Sequence, residues 1–446
     1  MAIGRLRFAG STRWAVAASI FLAVVPAQAQ SPAGNERAEY IFKRGDTLID
    51  LATKYLRKPS DYRIVQRLNR IANPHFIPVG KKVHIPFRLL KYRSSEARLS
   101  AFRGKVSIVT GGRQIAASKG LDIAEGSQLI TSAGSFLTLR LEDGSRISMP
   151  SNSKVRITRL RHILLTDSID YEFALDNGRI RSKVTPFDKK ADRYRVRTPV
   201  AVSAVRGTDY RTRVDESTGT AFSETIEGDV DVAAGNDIGI GKAVSVPAGT
   251  GAAASITGDL AKEDLLSPPE LLEAAKVQSD AQLQFRVVPS GKATGHRIVV
   301  STDAGFVDIV AEEKVDGAAI TLPTIPDGRY FAKATAIAPS GFEGMPAAYA
   351  FKRQLSTLSG SAGKGDFGYR FKWDGEGSGK RIYRFQLLKG SKKAIPIVDE
   401  DGLLDDVLTL SDLPDGEYYW RVGVTQFSDG EAFQKWTEFE KLTVAG

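Results

Sequence analysis

A mainly β, multi-domain protein is what this chain predicts, on three observations. Its 446 residues exceed what one hydrophobic core usually organises. Short alternating runs of Val, Ile, Thr, Tyr and Phe recur along most of it, punctuated by Gly or Asp-Gly. Helical spacing of apolar residues, by contrast, marks one small module near the N-terminus, where the order reads strand, helix, helix, strand. Hydrophobic content of 42% and charged content of 26% are ordinary for folded, soluble protein.

Residues 1–29 read as a secretory signal peptide. Arg5, Arg7 and Arg13 precede the apolar run "WAVAASIFLAVV", and Ala27 and Ala29 supply small residues for cleavage. The run falls short of the roughly 20 residues that span a bilayer. Export to the periplasm with no membrane span after signal removal is the expectation. The chain has no cysteine, which excludes disulfides, thiolate nucleophiles and Cys-based zinc sites, and leaves stability to hydrophobic cores.

The N-terminal module, residues 38–88, begins with the strand "AEYIF". Thr47 and Asp50 then form a capping-box pair before Leu48, Leu51, Ala52 and Tyr55 at helical spacing. Pro59 breaks the chain, Ser60 or Asp61 can cap, and Ile64, Val65 and Leu68 stripe a second helix. "NPHFIPVG" is a turn, and Val83 and Ile85 alternate in a closing strand. Residues 40–90 carry eleven Lys and Arg against three Asp, part of a formal charge of +10 for the chain, so an anionic polymer is the implied neighbour. Nucleic acid is not, because the chain carries an export signal and its basic excess sits in this one module.

Tyr40–Pro86 resembles the LysM module. The resemblance is carried by Tyr40, Gly45-Asp46-Thr47-Leu48, Leu51-Ala52, Asn69 with Ile71, Asn73-Pro74, Ile77, Gly80 and Ile85-Pro86. Tyr62 stands where many members carry Trp. The resemblance implies binding of N-acetylglucosamine-containing glycan, usually peptidoglycan, in a shallow groove between two loops. Its residues here would be Gly45, Asp46, Thr47 and Leu48 with Asn73, Pro74, His75, Phe76 and Ile77. The alternative for Leu48, Phe76 and Ile77 is that they are core. Within "FKRGDTL", Arg44-Gly45-Asp46 spells an adhesion triplet, but Asp46 at a helix mouth suits the dipole better than free presentation.

Residues 99–255 predict an all-β domain. Hairpins are expected at Asp143-Gly144, Asn177-Gly178 and Gly228. The stretch Thr198-Pro199, Val200–Val205, Arg206-Gly207-Thr208 and Tyr210 resembles the FecR periplasmic domain. Signalling members of that family add a cytoplasmic anti-sigma segment and a membrane helix. Neither is read in this sequence, which points to an exported interaction module. Arg206-Gly207-Thr208 reads as a tight bend with a local Arg contact, with a binding loop as the alternative.

Residues 256–278 are expected to be a linker with a short helix after Pro268-Pro269, and 355–366 a flexible linker. Between and beyond them, 279–354 and 367–446 echo each other through Pro-Asp-Gly-x-Tyr, at Pro326 and Pro414. These two β-sandwich repeats resemble fibronectin type III or immunoglobulin-like domains.

His75, His84, His162 and His296 are dispersed, and the acidic pairs precede turn glycines. No nucleophile, base and orienter set emerges. The expectation is therefore a non-enzymatic peptidoglycan-binding protein without cofactor or metal. Its FecR-like and sandwich domains would serve as a scaffold or signalling-interaction module toward an envelope protein partner. The alternatives are a cell-wall hydrolase or its activator, and a FecR-type iron-uptake signal relay.

Overall fold

A computed structural model describes residues 37–235, 243–274, 276–428 and 430–445. The expected signal peptide lies outside them. Among these residues the chain is mainly β, and helices are confined to the N-terminal module.

In that module, strand Arg37–Ile41 pairs antiparallel with Lys82–Pro86. Helices Leu48–Tyr55 and Tyr62–Leu68 pack beneath this ribbon through Leu48, Leu51, Ala52, Val65, Val83 and Ile85. Thr47 caps the first helix, its Oγ1 accepting from the Asp50 amide at 3.0 Å, but the reciprocal bond of a capping box is replaced: Asp50 Oδ2 accepts from the Thr47 hydroxyl at 2.6 Å. No side chain caps the second helix; Pro59–Asp61 instead forms a 3₁₀ turn that leads into it.

The all-β domain closes two sheets around one core and shares a single long strand, Ser168–Lys183. Its first part pairs with Ser153–Ile163 and, in parallel, with Arg193–Arg197. Its last part pairs with Arg146–Met149 and Asp209–Val214. The hairpin at Asp143-Gly144 forms, joining Phe136–Leu141 to Arg146–Met149. The one expected at Asn177-Gly178 does not. Gly178, at φ +80°, sits where the strand passes from one sheet to the other, and a Cβ there would overlap the backbone of Asn152 and Ser153. Gly228 is likewise a corner rather than a hairpin. Ala221–Glu227 pairs with Asp209–Val214 and Thr250–Ala254, whereas Asp229–Ala234 pairs with Ala201–Val205 and Val244–Pro247. Gly207 makes a third such corner, against Pro186, and Arg206 donates to the Lys190 carbonyl at 3.1 Å.

The expected helix near residue 270 is absent among the described residues. Leu260–Asp264 is a strand on Thr250–Ala254, and Leu271–Leu272 pairs with Leu283–Val287. The helix-favouring Glu, Leu and Ala lose to burial of Leu271 in the first sandwich core. The Gly/Ser-rich segment expected to be flexible is also a strand, Ser359–Gly365. Its glycines serve packing: a Cβ on Gly360 would meet the Trp420 ring at 2.6 Å.

Each sandwich opposes a three-stranded sheet to a larger one. The repeated Pro-Asp-Gly-x-Tyr has one physical role in both. Tyr330 Oη donates to the Pro326 carbonyl at 3.0 Å, and Tyr418 Oη to the Pro414 carbonyl at 2.6 Å. Each tyrosine thereby satisfies its hydroxyl while burying its ring.

The modules are packed against one another. Ile163, at the tip of a hairpin of the all-β domain, belongs to the N-terminal module's core, with Leu165 beside it. Arg193 lies 3.3 Å over the Phe87 ring, and Arg161 lies 4.2 Å over Tyr92. Phe342 of the first sandwich meets Phe222 of the all-β domain edge-on at 5.2 Å. Arg213 donates to the Gly341 carbonyl at 2.6 Å, and the Met345 amide to the Leu266 carbonyl at 2.8 Å.

Candidate functional site

The two loops singled out in the sequence come together. Leu48 N–H donates to the Pro74 carbonyl at 2.9 Å, tying the strand-to-helix loop to the helix-to-strand loop. Gly45 adopts φ +91°, a left-handed turn that a side chain would strain. Asp46 follows, and its Oδ2 accepts from the Lys43 amide at 2.8 Å and from Tyr40 Oη at 2.7 Å. These contacts, the Lys43 amide first, hold the Asp46 carboxyl below its usual range. Burial, and then Asp46, pushes the Tyr40 hydroxyl up to about 12. Asp46 is thus a charged brace between strand and loop.

On the opposite loop, Asn73 Oδ1 accepts from the His75 amide at 2.9 Å, an Asx turn that leaves His75 and Phe76 outward. Phe76 is 77% exposed. Leu48 and Ile77 settle the other way, at 0% and 7% exposed. Their side chains are core, so neither offers an apolar surface to a ligand. Gly45, Asn73 and His75 are exposed, and Asp46, Thr47 and Pro74 half-buried.

Residues 40–86 match the LysM domain family model. Residues 127–231 match that of FecR protein. LysM is a glycan-binding type of domain and FecR a signalling type. No curated protein matches the chain. Two crystal structures described as an anti-sigma factor from Parabacteroides distasonis are 14% and 15% identical, covering 31% of this chain and 59% of theirs at TM-score 0.25. The chain therefore spans about three-fifths of the length of those structures. A two-domain fibronectin type III segment of chicken tenascin is 14% identical, covering 41% of this chain and 100% of that one at TM-score 0.20.

The LysM module holds further residues whose work its sequence pattern does not display. Asn69 ends the second helix and reaches the closing strand: its Nδ2 donates to the carbonyls of Val65 and His84, and its Oδ1 accepts from the His84 amide at 2.7 Å. That clamp sets the position of the strand following the second loop. Val79 (67% exposed) and Ile41 (51%) are apolar side chains left outside the core. Val79 lies three residues past Phe76 in the Pro- and Gly-rich turn, where no hydrophobic periodicity marks it as exposed. The LysM face therefore offers backbone groups, an imidazole and exposed apolar carbons. Those are the contacts that suit the acetamido groups and ring faces of an amino sugar.

Among the described residues, no group of three or more His, Asp or Glu is arranged to hold a metal ion, and no helix is long and apolar enough to cross a membrane. His162 faces Asp167 at 3.1 Å, and His296 Nδ1 contacts the Gly317 carbonyl at 2.6 Å, both local structural contacts.

Proposed function

We propose that this is an exported, non-enzymatic binder of N-acetylglucosamine-containing glycan, peptidoglycan in the periplasm. In this reading residues 38–88 grip the glycan, while the FecR-like domain (99–255) and the two sandwiches present surfaces to an envelope protein partner. The single observation that carries it is the Leu48–Pro74 hydrogen bond joining two exposed loops in a module that matches LysM. The contacts would come from the backbone of Gly45–Leu48 and Asn73–Ile77, with the side chains of Thr47, His75 and Phe76. Support for a signalling-interaction role over wall hydrolysis comes from the FecR match.

The test is co-sedimentation of the full chain with purified sacculi. Phe76→Ala and Gly45→Val should each lower the bound fraction several-fold, without loss of the unfolding midpoint for Phe76→Ala. Equal binding by both variants would remove the glycan site from these loops. Release of soluble muropeptides during the incubation would overturn the non-enzymatic reading.

A further inference from the structure

The outer face of one sheet of the all-β domain carries an arrangement that folding alone does not favour. Register places Arg181 directly opposite Arg211, Arg179 opposite Arg213, and Arg146 opposite Lys183. Like charges opposed across strands are destabilising, and here three such pairs stand side by side. The first sandwich closes over them, leaving a cavity of about 330 Å³ between the domains. That volume is in the range of small-molecule sites.

The sandwich partly offsets the charge. Glu312 accepts from Arg179 and from Arg297, the latter at 2.5 Å, and Glu343 accepts from Arg179 at 3.2 Å and Arg297 at 2.8 Å. Within the all-β domain, Glu224 takes Arg211 at 2.9 Å and Asp209 takes Arg181 at 2.6 Å. Eight Lys and Arg among the described residues nevertheless line the cavity, against three Glu. Among the described residues, Arg146, Lys183 and Lys333 have no carboxylate within 4 Å. Lys333 projects from the sandwich strand Gly328–Ile337, with its Nζ 3.6 Å over the Phe306 ring. Burial, and then Arg181, with smaller pushes from Arg211 and Arg146, outweigh the opposing pull of Asp209 and lower Lys333 to about 6.

We propose that this interdomain cavity is a binding site for a small oligoanion, a molecule carrying two or more carboxylate or phosphate groups. The ligand would sit between Arg146 and Lys183 on one wall and Lys333 on the other. It would supply the negative charge that Glu312 and Glu343 leave unmatched, and it would bridge the two domains. This site is separate from the LysM loops and stands whether or not they bind glycan.

Calorimetric titration of the full chain with inorganic pyrophosphate and with propane-1,2,3-tricarboxylate, at ionic strength held constant with NaCl, tests it. A saturable heat, with a matching rise in unfolding temperature, is expected for at least one; which one responds assigns phosphate or carboxylate. Glucose should give neither. At pH 7.5 binding should take up protons, seen as a dependence of the heat on buffer ionisation enthalpy, because an anion restores the charge of Lys333. Lys333→Met should weaken binding at least tenfold and remove the proton uptake. Lys333→Arg should keep binding and also remove the uptake. Lys333→Met removes an amine that its surroundings hold largely uncharged at pH 7.5, so its folding is not at risk. Arg146→Gln serves as a second, independent loss variant. Absence of a saturable response to both anions, or equal affinity in both loss variants, would overturn the proposal.

Discussion

The two joints that flank the first sandwich use the same residue types at opposite burial. Toward the all-β domain, Glu312 and Glu343 have side chains 5% exposed and share Arg179 and Arg297. Toward the second sandwich, Glu431 is 50% exposed and meets Arg329, itself 81% exposed, and Lys352. In the first joint, burial pushes Glu343 up, yet Arg297, Arg179 and Arg211 overrule it and hold it well below the carboxylate range. A buried carboxylate so placed cannot be removed without stranding its partners, whereas an exposed one is replaced by water. The near joint therefore fixes an orientation, whereas the far joint combines ion pairs with more exposed carboxylates, including Lys435 with Asp280 at 2.7 Å, and hydrogen bonds such as Gln426 to the Leu355 carbonyl at 3.0 Å.

The comparison can be broken by substitution. Glu343→Ala should cost the most, about 3–5 kcal/mol, because it leaves buried guanidinium groups facing each other. Denaturant unfolding measures this, and an unchanged midpoint would place the joint's strength elsewhere. Next comes pH. Glu343 has a lower pKa folded than unfolded, so its contribution is complete above about pH 4.5 and declines as pH falls below that toward the folded value. Glu224, whose pKa burial raises, works in the opposite sense. Glu343→Gln should therefore flatten the acid limb of the stability profile, with the largest difference from the parent chain above pH 5.

Smaller effects sharpen the picture. Tyr330→Phe and Tyr418→Phe each delete one hydroxyl bond to a proline carbonyl and should cost about 1 kcal/mol, equally in both sandwiches. Glu431→Ala should leave the unfolding temperature within error at physiological salt. A large loss there would mean that the distal joint, too, depends on charge.

Local features were the legible ones. Thr47 and Asp50 announce a helix start by their spacing alone, and Asp143-Gly144 announces a hairpin, because both are settled within a few residues. Asn177-Gly178 carries the same dipeptide signal, yet its outcome depends on Ser153, a strand away, which requires a glycine there. The segments before Leu283 and after Leu355 were misread for a related reason: composition speaks of propensity, whereas Leu271 and Gly360 answer to Phe285's core and to Trp420. At the candidate glycan site the loops and their turn residues were readable, but which way Leu48 and Ile77 face was not. The arginine ladder was present as alternating Arg in "GRIRSK" and "DYRTRV". Only the register, and the glutamates folded over it from more than a hundred residues away, reveal it as a cavity wall.

Ile163 gives the molecule a bearing. Since a residue of the all-β domain completes the N-terminal module's core, the two turn as one piece. A polymer held across the loops at Gly45 and Asn73 would fix the direction in which the rest of the protein points. Copies seated along the same strand would face alike, as flags on one rope do, rather than swinging as beads on a string.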